Sequence, residues 1–470
     1  MNKKLEFLAL IEQSKISKAI NFALSAKEDR EVFLAAIGDH FFASGNLSAA
    51  KSFYVHSLRS KPNPSAEFGL GSVLLSGGEP EKSLKFFSCS SKDKRYEVNS
   101  MLKMGLASRL IGDIKGSLDF YLKASSKGYK GYILHLNIAT LLSDLGEFEK
   151  ASEHYELGIL LAPEDHKARL NYSMHLLSLG DFSRGLEFYE SRPWCFKGKG
   201  LEWSGSHGEN VLVISEQGYG DLIHFCRFIK EVAKVSNKVA LACDPKLFGL
   251  MSTLGCLDEI FPLDQESIDN ASDSYPRYCR VMSIPYLMGL KLPPPETDPY
   301  LKPDCARSSF WKDYLSGDAG LKVGLCWQGG KRDDPEMIFN DRRRSIDLKA
   351  LSPVLDIEGV NFYSLQKDWM EYHPKIKYPM EICGDFLDTA SLISNLDLVI
   401  SVDTSIAHVA GSLGVPVWMM SRLGGCWRWG LESPHTFWYP SMRIFRQKAI
   451  DDWEPVANDI ALELLKITKT

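Results

Sequence analysis

Between about residues 31 and 192 apolar and polar positions alternate with the helical period, and a longer repeat is laid over it. Gly45, Gly78, Gly112, Gly146 and Gly180 stand 33 or 34 residues apart. Each is followed five residues on by a small residue (Ala50, Ser83, Ser117, Ala151, Gly185) and four further on by an aromatic (Tyr54, Phe87, Tyr121, Tyr155, Tyr189). Pro62 and Pro163 close two of the units. A glycine turn joins two helices, a small residue lets them approach, and an aromatic fills the groove to the next pair. The pattern predicts an α-helical solenoid of five stacked hairpins, with the stretch around 15–24 as half of an atypical capping unit. Such an array offers a concave surface to a protein or peptide, or acts as a spacer or dimerisation arm.

After Pro193 and Trp194 the helical period stops, and the Gly- and Ser-containing stretch LEWSGSHGEN sets a boundary near residue 205. Strands and helices then alternate. Strands are expected at Val211–Ser215, Val239–Cys243, Glu259–Leu263 and Arg280–Ser283, with a tight loop at Gly218, Tyr219 and Gly220 and a helix from Leu222 to Val235. Pro293, Pro294 and Pro295 form a stiff connector to a second lobe. That lobe contains the strand VGLCW after Lys322, VNFYSLQ at 360–366, and LDLVISVDTSIAHVAGSLGVPVWMM at 396–420. The last segment reads as a buried parallel strand, a polar turn with the capping residues Asp403, Thr404 and Ser405, a short helix stopped by Gly414 and Pro416, and another strand. A strand delivering a helix N-terminus to the carboxyl edge of a parallel sheet suits a phosphate or diphosphate. The predicted organisation is a repeat domain at 1–195, α/β lobes at 205–300 and 318–450 facing a cleft, and a final helix at 451–470 packing back on the first lobe.

Composition narrows the function. A length of 470 residues implies about three domains. The net charge of −5, with Arg342–Arg344 as the one basic cluster, argues against nucleic acid as partner. Ten cysteines lie scattered without a CxxC pair, which predicts neither a zinc site nor a disulfide framework but buried thiols in a reducing compartment. With no apolar run long enough to span a membrane and no secretion signal in MNKKLEFLALIEQSK, a cytoplasmic location is expected.

The small, aromatic and proline positions of the array resemble the tetratricopeptide repeat (TPR) family. EQGYGDLIHFCRF (216–228), KVGLCWQGG (322–330), DRRRSIDL (341–348), FYSLQK (362–367), DLVISVDTSIAHVAGSLGVPVW (397–418) and WYPSMRIFRQ (438–447) resemble glycosyltransferase family 9, the heptosyltransferase-like enzymes, and particularly its members fused to such repeats. More distantly, the layout is similar to the O-linked N-acetylglucosamine transferases. The resemblance implies a GT-B fold, a nucleotide-diphosphate sugar as co-substrate, inversion at the sugar carbon, and no required cofactor or metal ion.

Roles follow from chemistry and from that likeness. Asp221 either takes the proton from an attacking acceptor hydroxyl, the role proposed for the family's corresponding aspartate, or caps the helix that begins after it. His224, one turn on, is a second base candidate. Gly218 and Gly220 allow close backbone approach. Thr404 and Ser405 offer hydrogen bonds to a diphosphate, Asp403 suits a sugar or ribose hydroxyl or a capping bond, and His408 reaches the phosphate or packs in the core. Gln328, Gly329 and Lys331, with Arg344, Gln366 and Lys367, would complete the nucleotide side, while Trp427, Arg428 and Trp429 either stack on the ligand or pack as a lid. The expected activity is metal-independent inverting glycosyl transfer to an acceptor hydroxyl, with a protein held by the repeats as one acceptor and homo-oligomerisation also open to them. The alternatives are a repeat scaffold with a degenerate GT-B region, and a transferase acting on a saccharide.

Overall fold

The computed structural model describes residues 3–292, 299–330, 335–367 and 371–469; the connector prolines Pro293–Pro295 and the expected phosphate ligand Lys331 lie outside the described residues. The chain divides into two compact units, residues 1–163 with 334–339, and residues 164–333 with 340–470.

In the first unit, helices pair as Lys3–Glu12 with Ile16–Ser25, Arg30–Ala43 with Leu47–Ser60, Pro64–Ser76 with Pro80–Ser90, Glu97–Ile111 with Ile114–Ser126, and Tyr132–Asp144 with Phe148–Leu161. The periodic glycines are left-handed, from +76° at Gly78 to +95° at Gly112, a conformation that a β-carbon would strain. Asn46, Asn63 and Asp113 accept hydrogen bonds from the first turns of the helices they precede. The repeated aromatics Tyr54, Phe87, Tyr121 and Tyr155 are all buried. Tyr54 lies across Gly38 of its own hairpin and Gly69 of the next, where β-carbons would collide with its ring, the first at 2.6 Å, so glycine is what lets each helix pair close and the next hairpin stack on it.

The hairpin at Gly180, His166–Ser178 with Phe182–Tyr189, is the last of the glycine repeat and the sixth helix pair among the described residues, and it belongs to the second unit although the expected repeat domain runs to 195. Leu177, Leu186 and Tyr189 share one hydrophobic core with Val211, Leu222 and Trp438, and Phe182 packs edge-on to Trp427 and Trp438. Its far face is buried against α/β structure rather than against another hairpin.

Beyond it, the second unit holds two sheets. The first contains β1 (Leu201–Glu202), β2 (Asn210–Ile214), β3 (Lys238–Cys243), β4 (Glu259–Pro262) and β5 (Arg277–Arg280), in the order β1-β5-β2-β3-β4, all parallel. The second contains β6 (Leu321–Cys326), β7 (Val360–Ser364), β8 (Ile376–Lys377), β9 (Leu398–Val402), β10 (Val417–Ser421), β11 (His435–Thr436) and β12 (Tyr439–Arg446), in the order β11-β12-β10-β9-β6-β7-β8. Among the described residues only the β11–β12 pair is antiparallel. Three expectations shift. The fourth strand ends at Arg280 rather than starting there, and Val281–Ser283 coil into a 3₁₀ turn. The Leu222–Val235 helix is two helices, Tyr219–Phe225 and Ile229–Val235, joined by a 3₁₀ turn. The final helix, Glu454–Thr468, packs on the second lobe and not the first: Val456, Ile460 and Leu464 enter the core formed by Val323, Leu325 and Ile400. Its apolar stripe covers a face of the second sheet that would otherwise be open to water.

Candidate functional site

Each sheet reverses its winding once. The chain runs β2, β3, β4 to one side and returns to place β5 on the other, and likewise β6, β7, β8 before β9 and β10. Loops at the carboxyl ends of the strands flanking such a switch point have no crossover helix between them, and the crevice they leave is where ligands bind in parallel α/β sheets. The loop after β2 and the first helical turn it leads into carry Gly218, Gly220 and Asp221; the loop after β6 carries Gln328–Gly329, and the turn after β9 with the helix start beyond it carries Asp403–Ser405. Gly218, Gly220, Asp221, Arg344, Asp403, Thr404, Ser405, His408 and Arg428 all line one cleft of about 680 Å³. A second cavity of about 310 Å³, lined by Gln328, Gln366 and Lys367, shares Tyr219, Gly330, Thr404 and Ser405 with it. Both volumes lie in or at the edge of the range of small-molecule sites.

On the first-sheet side the loop is under local strain: Gln217 has a φ of +55°, rare for a residue with a side chain. Asp221 both caps and pairs. Its Oδ2 accepts from the Gly218 N–H at 3.0 Å, and its Oδ1 accepts from Arg428 at 2.7 Å. Gly220 faces the second lobe so closely that a β-carbon there would meet His408 Cδ2 at 2.9 Å. Tyr219 donates to Asp244 at 3.0 Å and packs its ring on Phe386 of the second lobe.

On the other side, Thr404 is the N-cap of the Ser405–Leu413 helix but its side chain does not cap, contrary to expectation. Its hydroxyl sits 3.1 Å from Ser401 Oγ and 3.5 Å from Cys326 Sγ. The first-turn N–H groups are thereby left without a side-chain acceptor, facing the cleft with the positive end of the helix dipole. The three arginines of the basic cluster separate: Arg342 is exposed, Arg343 is buried, and Arg344 lines the cleft, donating to Asp341 at 2.7 Å and to the Asp403 carbonyl at 2.9 Å. A β-carbon on Gly329 would collide with Asp341 Oδ1, so glycine is what admits this pair. Gln366 accepts from the Gln328 N–H at 3.1 Å, joining the loops after β6 and β7. The Lys367 ammonium donates to the Cys383 carbonyl at 2.6 Å and the Met380 carbonyl at 3.2 Å.

His224 is corrected as a base. It is fully buried beneath the cleft, among Phe225, Trp427 and Trp438, and does not line it. Its Nδ1 lies 3.2 Å from the Tyr439 hydroxyl, which also approaches His408 Nδ1 (2.8 Å) and the Tyr300 hydroxyl (3.3 Å). Burial, then the charges of Arg227 and Arg428, hold His224 well below the usual histidine range; burial followed by the same two charges does so for His408. Both rings are neutral near pH 7. His408 stacks on Trp429 with centroids 5.1 Å apart and keeps an edge on the cleft. Trp427 and Trp429 are buried, so the packing reading holds for them.

Sequence reasoning left out the support behind the first loop. Arg192 grips Glu216 with two bonds, Nε to Oε2 at 2.8 Å and NH2 to Oε1 at 2.7 Å, and Tyr189 exchanges hydrogen bonds with Gln217. Burial opposes the Arg192 charge, but Glu216 and Glu190 outweigh it and hold its pKa above the ordinary value. The available signal was that Tyr189 ends the last repeat shortly before Glu216, which argues for contact only once the fold is known. Among the described residues no three His, Cys, Asp or Glu side chains converge as a metal site would require.

Residues 133–165 match the family described as tetratricopeptide repeat. Protein FlbA of Caulobacter vibrioides is 28% identical over 407 residues, covering 75% of this chain and 65% of FlbA, so the chain spans just under two thirds of that relative. Among solved structures, MamA is similar at 18% identity with a TM-score of 0.30, over 33% of this chain and 91% of MamA. PilF of Pseudomonas aeruginosa is similar at 16% identity with a TM-score of 0.35, over 40% of this chain and 86% of PilF. The chain thus carries a tetratricopeptide repeat within a helical array, followed by a region built on two largely parallel sheets.

Proposed function

We propose that the chain is an inverting, metal-independent glycosyltransferase of the GT-B kind, moving a sugar from a nucleotide-diphosphate sugar to an acceptor hydroxyl. One observation carries the reading. The switch-point loops of the two sheets meet at a single cleft, with a helix start lacking a side-chain cap on one side and the Asp221 carboxylate on the other. In the proposed reaction Asp221 accepts the acceptor's hydroxyl proton while that oxygen's electron pair forms a bond to the anomeric carbon. The bond from that carbon to the diphosphate breaks with its electrons leaving on the phosphate oxygen. The Ser405 N-terminus and the hydroxyls of Thr404 and Ser405 stabilise that charge. Gln328 and Gln366 in the smaller cavity would face the nucleoside. The repeats would present a protein or peptide acceptor or assemble copies of the chain, in the cytoplasm, where ten unbridged cysteines persist.

A second reading, an interaction scaffold without transferase activity, draws on the tetratricopeptide match and on Asp221, both of whose oxygens are already engaged. Incubating the full chain with a panel of uridine, guanosine, adenosine, thymidine and cytidine nucleotide-sugars and measuring the released nucleotide separates the two. The transferase reading expects release from one donor, reduced by a factor of about 100 or more in Asp221→Asn. Equal release by wild type and Asp221→Asn would remove Asp221 from the mechanism, and none from any donor would favour the scaffold.

A further inference from the structure

Among the described residues two arginines line the cleft. Arg344 is committed: Nε and NH2 donate to Asp341 and NH1 to the Asp403 carbonyl. Arg428 is not. NH2 donates to Asp221 at 2.7 Å, NH1 has the Cys426 sulfur at 3.2 Å, a weak acceptor, and Nε is buried with no partner. The residue is 6% exposed and flanked by the rings of Trp427 and Phe225, centred 4.7 Å and 5.5 Å from its guanidinium carbon. A guanidinium has five donors in a planar fork matched to phosphate, and here one of them meets an oxygen anion. Removed from water, the idle donors are at a disadvantage that an anion in the cleft would relieve.

Resting on the donor-site reading above, we propose that Arg428 is an exchangeable counter-ion, paired with Asp221 in the free protein and turning to the phosphates when a nucleoside diphosphate or its sugar enters the cleft. The exchange releases Asp221 Oδ1 as an open acceptor on the side from which the acceptor hydroxyl arrives. Donor binding would therefore precede and create the competent base. Asp221 and the phosphate compete for one cation, which couples their effects on affinity.

Calorimetric titration of the full chain with UDP, GDP, ADP, TDP and CDP, in wild type, Arg428→Gln, Asp221→Asn and the double variant, tests the coupling. The best-binding nucleotide is expected to lose affinity by on the order of ten-fold or more in Arg428→Gln, with Arg428→Lys intermediate. Asp221→Asn, close in shape and so safe for folding, is expected to bind it several-fold more tightly, and that gain is expected to vanish in the double variant. A gain that persists without Arg428 would be plain relief of charge repulsion and would overturn the exchange. So would wild-type affinity in Arg428→Gln. No binding of any nucleotide by wild type would instead defeat the donor-site reading, and the exchange with it.

Discussion

Three histidines, His175, His224 and His408, are buried as neutral rings, and at the scale of single residues this makes stability depend on acid. Burial alone lowers His175 to about 4, while His224 and His408 are lowered by burial and then by neighbouring arginines. In the unfolded chain each takes a proton near pH 6.5, so below that pH the unfolded state binds more protons than the folded one. The contribution of each is complete above about pH 6.5 and falls as pH drops toward the folded pKa, by at most about 1.4 kcal/mol per pH unit per ring. Urea midpoints at pH 7.5, 6.5 and 5.5 are expected to fall over the last step, with a shallower fall in His408→Gln. Equal midpoints at pH 6.5 and 5.5 would show that the rings titrate normally. Glycines were read in sequence as sites where backbone approaches a ligand; in the structure Gly220 lies against His408 and Gly329 against Asp341, protein contacts that no sequence pattern announces. Side-chain direction was not legible either: His224 is one turn from Asp221, yet Asp221 lines the cleft and His224 sits at zero exposure among tryptophans from a distant loop.

At the scale of elements, the repeat was readable because glycine, small residue and aromatic recur at fixed spacing, and each does the packing that its size dictates. Tyr54 is the clearest case, buried between Gly38 and Gly69 with its hydroxyl donating to Asp39 at 2.7 Å. Tyr54→Ala is expected to destabilise the array by about 3–5 kcal/mol, the range for losing a buried large aromatic, as measured by urea denaturation followed by helical circular dichroism. A change under about 1 kcal/mol would mean that the groove closes without the ring. Core strands such as β2 and β9 were legible because both faces are covered, giving nearly continuous apolar runs. Edges were not. The two residues of β1 fall in a stretch that reads as linker, and partner choice alone makes them strand. For the final helix, an apolar stripe identifies a buried face without naming what it is buried against.

At the scale of the whole molecule, two compact units with different internal logic make up the chain, one linear and repetitive, the other layered. The two units divide before the last hairpin because that hairpin packs by its apolar face, whatever repeat its sequence belongs to. The switch points were invisible in sequence, since strand order is set by long-range pairing, yet the loops singled out for their glycines and hydroxyls are the ones that flank them. That coincidence makes the nucleotide the ligand to test first. The measurement is thermal unfolding of the intact chain with saturating UDP, GDP, ADP, TDP or CDP, repeated in the Thr404→Ala, Ser405→Ala double variant. One nucleotide is expected to stabilise selectively, by roughly 2.7 kcal/mol at one hundred times its dissociation constant, and to lose most of that effect in the variant. Stabilisation by none of them, or by one equally in wild type and variant, would contradict a diphosphate site at the Ser405 helix.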